Sequence, residues 1–373
     1  MNTIIERIKY QLGNIPGWRT NRKLVVIESD DWGSIRMPSR EVYDLLVSEG
    51  IPLQKATYNR YDSLASEEDL SALFEVLNSF KDINGNPVKI TANTIVTNPD
   101  FEKIEESGFS EYHYEKFTET LKKYPSHQNS FSLWKEGMNA GVFRPQFHGR
   151  EHIHVPRWMK ALQQEDSVAR KIFKYKMYDL SIGLERSESS FMEALQLDSE
   201  DEIIFQQKYI SEGLKLFEEI FGFTSKTFIA PCYVWHNSLN DILLKGGVQG
   251  FQGSWYQLEP NVVDNGLKKI FHYLGEKNDY NQVYLTRNVF FEPSEIRIKD
   301  WGKEVINKMK LAYRAKKPAI IQSHRMNFIG FIDKKNRDKN LAVFSAVLKQ
   351  IIKMWPDVEF VSSDELSEII NKS

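Results

Sequence analysis

Seven short apolar runs, near residues 24, 88, 142, 226, 248, 318 and 358, alternate with stretches of helical periodicity along a chain of 373 residues. Parallel neighbours cannot be joined by a tight turn, so strands separated by helices predict a mostly parallel sheet with helical crossovers. A barrel and a doubly wound open sheet both satisfy that rule. Polar clusters follow the first, third, fourth and sixth runs, which sets them on one shared rim and suits a barrel. The length accommodates a single barrel-sized domain over 1–373, with a core over about 22–366 and a helical insertion over about 156–221. Ser39 and the stretch Ser66-Glu67-Glu68-Asp69 are start signals for two helices in the first crossover. The runs Lys268–Leu274 and Val283–Phe291 are β-like but irregular, and are expected to pair as a hairpin outside the main sheet.

The first run, Leu24-Val25-Val26-Ile27, is continuous rather than alternating, as in a strand buried on both faces. Asp30 and Asp31 follow it. Neighbouring carboxylates repel, so keeping both ionised requires a cation, a hydrogen-bond network or a division of labour between acid and base. After the third run comes His148-Gly149-Arg150-Glu151-His152. Two imidazoles at i and i+4 share a face on a helical turn, where both could reach one metal, and a carboxylate from elsewhere would complete the set. His154, two positions further on, points away on a helix and is not counted. His324 follows the sixth run, where a titratable side chain can act as a general acid.

Other chemistries lack their patterns. The metalloprotease sequence His-Glu-x-x-His is absent, as are a Gly-x-Ser-x-Gly elbow, a phosphate-binding P-loop and a dinucleotide-binding glycine fingerprint. The net charge of −2 gives no electrostatic case for nucleic acid or an anionic membrane. One cysteine, Cys232, excludes an intrachain disulfide. Met1–Thr20 lacks the apolar block of a secretory signal, and no stretch is long and apolar enough to span a bilayer. These features lead to the expectation of a cytoplasmic protein.

In order along the chain, Asp30-Asp31, His148-x-x-x-His152, the aromatic after a proline in Pro231-Cys232-Tyr233, and the strand-end His324 resemble the motifs of the polysaccharide deacetylases, the family 4 carbohydrate esterases. The resemblance runs from about residue 24 to 365 and implies a distorted seven-stranded (β/α) barrel. By position it implies Asp31, His148 and His152 as ligands of one divalent metal ion, zinc in most such enzymes. It implies Asp30 as the general base and His324 as the acid that protonates the leaving amine or alcohol. The metal and a backbone N–H near Tyr233 would hold the oxyanion. The substrate would be an acetylated carbohydrate or another small acylated molecule, losing an N- or O-linked acetyl group. Trp32, Tyr233, Trp235 and Trp255 are the aromatics expected near the pocket, because flat rings stack on sugar faces.

The chain also departs from the pattern. Glu28-Ser29 stands where the family has Thr-Phe, Trp32 intervenes before Gly33, Gly149 replaces a hydroxyl residue, and Gln322 replaces a leucine. The third motif lacks its base-orienting arginine, leaving Arg144, Arg150 and Arg325 as candidate replacements. The rival readings are a hydrolase of the same fold acting on a non-sugar amide, and a catalytically silent carbohydrate-binding or assembly protein.

Overall fold

The computed structural model describes residues 13–180, 191–262, 266–295 and 297–373. Each of the seven apolar runs forms a strand: β1 (Lys23–Trp32), β2 (Ile90–Ile95), β5 (Phe143–Gly149), β6 (Thr227–Phe228), β7 (Gly250–Gly253), β12 (Ala319–His324) and β13 (Val358–Phe360). Two short strands, β3 (Thr97–Pro99) and β4 (Tyr114–Lys116), pair antiparallel beside the first crossover.

The third expected β region is arranged differently from its sequence pattern. The hairpin outside the main sheet is formed by β8 (Tyr256–Asn261) and β9 (Gly266–Phe271). The run Val283–Phe291 belongs to the main sheet instead, as β10 (Val283–Thr286) beside β7 and β11 (Val289–Phe290) beside β12. Local apolarity could not distinguish the two, because both runs have strand propensity and only the β7 and β12 edges select a partner.

The main sheet therefore has nine strands among the described residues, in the order β10-β7-β6-β5-β2-β1-β12-β11, with β13 also on β1. All of its pairings are parallel. Its two edge strands, β10 and β11, are separated in sequence by two residues only, Arg287 and Asn288. The Arg287 N–H donates to the Gly253 carbonyl (2.8 Å) and the Asn288 N–H donates to the Ile320 carbonyl (3.1 Å). One run of chain thus changes partners midway and stitches the curled sheet along a seam.

Both faces of β1 are buried, which is why its apolar run is continuous. Val25 and Ile27 pack into the large core between sheet and helices. Leu24 and Val26 meet Leu285, Ile320, Leu366 and Ile370 on the other side, where the C-terminal helix Ser363–Asn371 closes the base of the sheet. Continuing along that second face, positions 28 and 30 of β1 change it from apolar to charged.

The helical start signals match the local structure. Ser39 caps the helix Arg40–Ser48 through the Val42 N–H, and Ser66 with Asp69 forms a reciprocal capping box on the helix Glu67–Asn78. The expected insertion is less helical than its pattern. Among the described residues it contains helices Val155–Leu162, Val168–Phe173 and Glu202–Phe221, with 174–180 and 191–201 non-helical. Residues 181–190 of that region, and the lead-in over 1–12, lie outside the described residues.

Candidate active site

The site begins with an irregularity in β1. Between Ser29 and Trp32 the strand advances three residues while β2 advances two, from Ala92 to Thr94, so one residue of β1 is extra. Asp31 there adopts a left-handed backbone, φ +72°. In a regular strand adjacent side chains face opposite ways, and a bulge removes that constraint. Asp30 and Asp31 consequently line the same cavity. Gly33 makes the return possible: its φ is +83°, and a Cβ there would stand 2.2 Å from the Ile95 carbonyl oxygen.

Asp31 faces two imidazoles. Its Oδ1 lies 3.4 Å from His148 Nε2 and 3.5 Å from His152 Nε2. The His pair is not carried on a helical turn. His148 is the penultimate residue of β5, Gly149 ends the strand and turns the chain with φ +132°, and His152 sits in the loop before the helix Val155–Leu162. His154 serves that helix as N-cap, its Nδ1 accepting from the Arg157 N–H (3.3 Å).

The donor set fits a divalent cation. Two donors each about 2.0–2.1 Å from one tetrahedral zinc stand roughly 3.3–3.4 Å apart, and the observed separations are 3.4 and 3.5 Å. His148 Nδ1 is 2.9 Å from the Ile229 carbonyl, which selects the Nδ1–H tautomer and leaves the Nε2 lone pair facing Asp31. Burial, with the nearby His148 and Arg36, drives His152 down to about 3 despite the opposing pull of Asp31, so its imidazole is neutral as a ligand must be. Asp31 lies well below the usual carboxylate range: burial works against ionisation, and the surrounding charges, His324 and Arg36 among them, outweigh it.

Asp30 has a different environment. Arg287 donates from Nη2 to Oδ1 and from Nη1 to Oδ2 (2.6 Å each), and Asn93 Nδ2 also donates to Oδ1 (2.6 Å). The third nitrogen of the fork, Nε, donates to Glu28 Oε2 (2.5 Å). Glu28 and Asp30 share a face of β1 by the two-residue period of a strand. Burial alone would raise the Asp30 carboxyl; Arg287, by charge and hydrogen bond, brings it down to about 2.

The arginine on Asp30 is thus Arg287, and not Arg144, Arg150 or Arg325. Those three are engaged elsewhere: Arg144 with Asp364, Arg150 with Glu151 and Glu212, and Arg325 with Asp62. Glu28 and Asp30 thus share one guanidinium, delivered from the seam between β10 and β11.

His324 is the register partner of Asp30 on β12, with Nε2 3.9 Å from Asp30 Oδ2. Its Nδ1 is 2.7 Å from Glu292 Oε1, and Asn327 Nδ2 donates to the other Glu292 oxygen (2.6 Å). Burial disfavours the imidazolium, but Glu292, Asp31 and Asp30 raise His324 to about 10. Tyr58, from the short helix Thr57–Tyr61, places its hydroxyl 3.2 Å from His324 Nε2, and the Arg36 guanidinium lies 5.2 Å from the Tyr58 ring centre.

Of the expected pocket aromatics, Tyr233 lines the cavity and accepts from Arg287 Nη1 (3.2 Å). Trp32 does not. The bulge turns it into the core, edge-on to Trp134 and Phe143, with its indole N–H donated to Ser29 (2.9 Å). Trp235 is buried against Phe251, its ring stacked at 5.6 Å, and Trp255 lies against Gly13. A flat ring gains as much by burial in a core as at a sugar face, so composition could not separate these cases. Of the backbone N–H groups near Tyr233, its own donates to the Ala230 carbonyl (3.0 Å) and that of Val234 to the Pro231 carbonyl (3.1 Å), in a turn where Cys232 and Tyr233 both have positive φ.

The cavity has a volume of about 490 Å³, within the size range of small-molecule sites. Tyr256 and Leu258 from the hairpin β8–β9 wall one side, and Met192 from the insertion contributes to the lining. Glu28, Arg36, Tyr58, Glu292 and Arg287 carry no motif and were missed. Two of them did leave a trace, because Glu28 ends the apolar run of β1 and Arg287 interrupts the β-like run Val283–Phe291, and a buried charge implies a buried partner.

No protein-family model and no curated protein matches the chain. Among solved structures it is similar to a probable polysaccharide deacetylase from Pseudomonas aeruginosa PAO1, with 8% identity and a TM-score of 0.48 over 95% of this chain and 92% of that one. It is similar to PuuE allantoinase, with 9% identity and a TM-score of 0.46 over 94% of this chain and 91% of that one. It is also similar to 4-alpha-glucanotransferase from Thermococcus litoralis, with 11% identity and a TM-score of 0.42 over 92% of this chain and 40% of that one.

Proposed function

We propose that the protein is a metal-dependent hydrolase that removes an N- or O-linked acetyl group from a carbohydrate. The observation that carries this reading is the convergence, on one cavity, of the Asp31, His148 and His152 donors with Asp30 and His324. Asp31, His148 and His152 would hold one divalent cation, zinc by the nature of the donors. Bound there, the cation supplies a Lewis acid that acidifies water and polarises the acyl oxygen.

Asp30 accepts a proton from the attacking water as the new C–O bond forms. Held at about 2, it is a weak base, and a bound cation would supply the acidity of the water that such a base requires. His324 starts protonated and gives its Nε2 proton to the departing nitrogen or oxygen as the old bond breaks, releasing acetate. Glu292 fixes the ring so that Nε2, and not Nδ1, faces the cavity. Opposite charge states on neighbouring strands provide the acid and the base.

One observation favours a second reading, hydrolysis of a non-sugar amide. Trp32, Trp235 and Trp255 do not line the cavity, and Met192, Ile229, Ala230 and Leu258 give it a partly apolar wall.

The deciding experiment pairs metal content with acetate release. Wild type and the His148→Ala, His152→Ala double variant are purified without added metal and measured by atomic spectroscopy, then assayed against acetylated sugars and small cyclic amides. One metal per chain in the wild type and none in the variant, with acetate released from a sugar, is the expected result. Turnover of the cyclic amides alone would select the second reading. A wild type that takes up no metal even from added zinc would favour a silent carbohydrate-binding protein.

A further inference from the structure

An acyl oxygen that becomes an oxyanion needs a hydrogen-bond donor placed for the transition state. The Tyr233 N–H is spent on the Ala230 carbonyl. A second donor lies among the residues that line the cavity, on the helix Thr57–Tyr61 of the first crossover.

The Tyr58 ring meets His324 edge-on, with ring centres 5.1 Å apart at 90°. Its hydroxyl is 3.3 Å from His324 Nδ1 and 3.2 Å from Nε2. Near-equal distances to both nitrogens set the oxygen over the ring face and not along either in-plane lone pair. Nδ1 is already committed to Glu292 at 2.7 Å. A protonated imidazole, moreover, carries donors only. The phenol proton therefore has no acceptor on His324. Burial, with Glu292 and Asp31, holds this phenol well above its ordinary value, so it stays a donor.

The segment is also held in place. Asn59 Nδ2 donates to the Asp179 carbonyl (3.2 Å). Asp62 receives both arms of Arg325, the residue after His324, at 2.9 Å each. Tyr58 and His324 are thereby tied to one another through Asp62 and Arg325, and the donor is organised before substrate arrives.

We propose that Tyr58 is a further catalytic residue of this site, its O–H donating to the substrate acyl oxygen as that oxygen becomes the oxyanion. The inference rests on the acyl-hydrolase reading above and adds to it a side-chain donor from the first crossover.

The test compares wild type, Tyr58→Phe and Tyr58→Gln in metal content, in steady-state hydrolysis and in calorimetric binding of methylphosphonate, a tetrahedral anion shaped like the intermediate of acetyl transfer. Loss of one oxyanion donor lowers kcat by about 10²–10³-fold. Tyr58→Phe is expected to show that loss with KM and metal content near wild type, and to bind methylphosphonate more weakly in proportion. Tyr58→Gln, which restores a donor, is expected to recover part of both. Unchanged kcat and phosphonate affinity in Tyr58→Phe would overturn the role of Tyr58 while leaving the hydrolase standing. Loss of metal or of the folded state in Tyr58→Phe, with no recovery in Tyr58→Gln, would make Tyr58 a packing residue and overturn it too. A wild type that binds neither metal nor methylphosphonate would overturn both readings.

Discussion

Arg287 shows how much a single buried residue can govern. Its guanidinium is almost wholly inaccessible and stands between Glu28 and Asp30, both buried. Removing one partner of such a group leaves the others charged and unpaired, a loss of about 3–5 kcal/mol in comparable buried pairs. Arg287→Ala should therefore lower the urea midpoint strongly, and Arg287→Lys should recover charge without the two-armed geometry, leaving stability intermediate. Equal stability of wild type and Arg287→Ala would mean that Asp30 takes up a proton at no cost. The titrations give a signed expectation for the metal-free protein. Asp30 is depressed from 3.8 to about 2, so its contribution is present above pH 3.8 and is lost as pH falls through about 2. His324 is raised from 6.5 to about 10, so its contribution is full below pH 6.5 and is lost as pH rises through about 10. Unfolding measured across pH in chelator should show both limbs, and Glu292→Gln should bring the alkaline limb to lower pH. An unmoved limb in that variant would remove Glu292 as the support of His324.

At the scale of the element, the bulge in β1 decides the chemistry. It lets two consecutive aspartates face one cavity and sends the next residue, Trp32, to the core. Gly33 permits the bulge, since any side chain would meet the Ile95 carbonyl and adopt an unfavourable backbone as well. Gly33→Ala is expected to cost more than the roughly 1–2 kcal/mol of the left-handed backbone alone, and to lose metal as Asp31 moves. Thermal unfolding together with metal content checks this; a variant that keeps both would show that β1 can be re-aimed without Gly33. The end of β5 explains why His148 and His152 meet without a helix. A strand end followed by a glycine turn folds the chain back within four residues, and an i, i+4 spacing cannot report which of the two conformations delivers the pair.

For the molecule as a whole, the seam at Arg287-Asn288 joins architecture to chemistry. The run that binds the two edges of the sheet also delivers the arginine that holds Asp30, and continues through β11 to Glu292 behind His324. Asn288 is the fastening: its Nδ2 donates to the Pro318 carbonyl (3.0 Å) and its Oδ1 accepts from the Ile320 N–H (2.9 Å). Asn288→Ala should leave buried groups unpaired at about 1–3 kcal/mol each, and should speed hydrogen exchange at the Ile320 amide more than at Val25 on the far side of β12. Uniform exchange along the sheet would mean that the seam does not open locally.

The sequence by itself determined the seven apolar runs, their alternation with helices, and the polar residues at their ends, because strand propensity, period and capping act between near neighbours. Asp30, Asp31, His148, His152, His324 and Tyr233 were legible for that reason, each at or just beyond the end of a recognisable run, and the tertiary structure gathers them around one cavity. Which arginine would hold Asp30, which acid would stand behind His324, and which aromatics would face the cavity were decided only by the tertiary structure. Arg287 reaches Asp30 across 257 positions of chain and Glu292 reaches His324 across 32. No local period encodes such a contact: a buried charge announces that it needs a partner, and only the closing of the sheet says which one it meets.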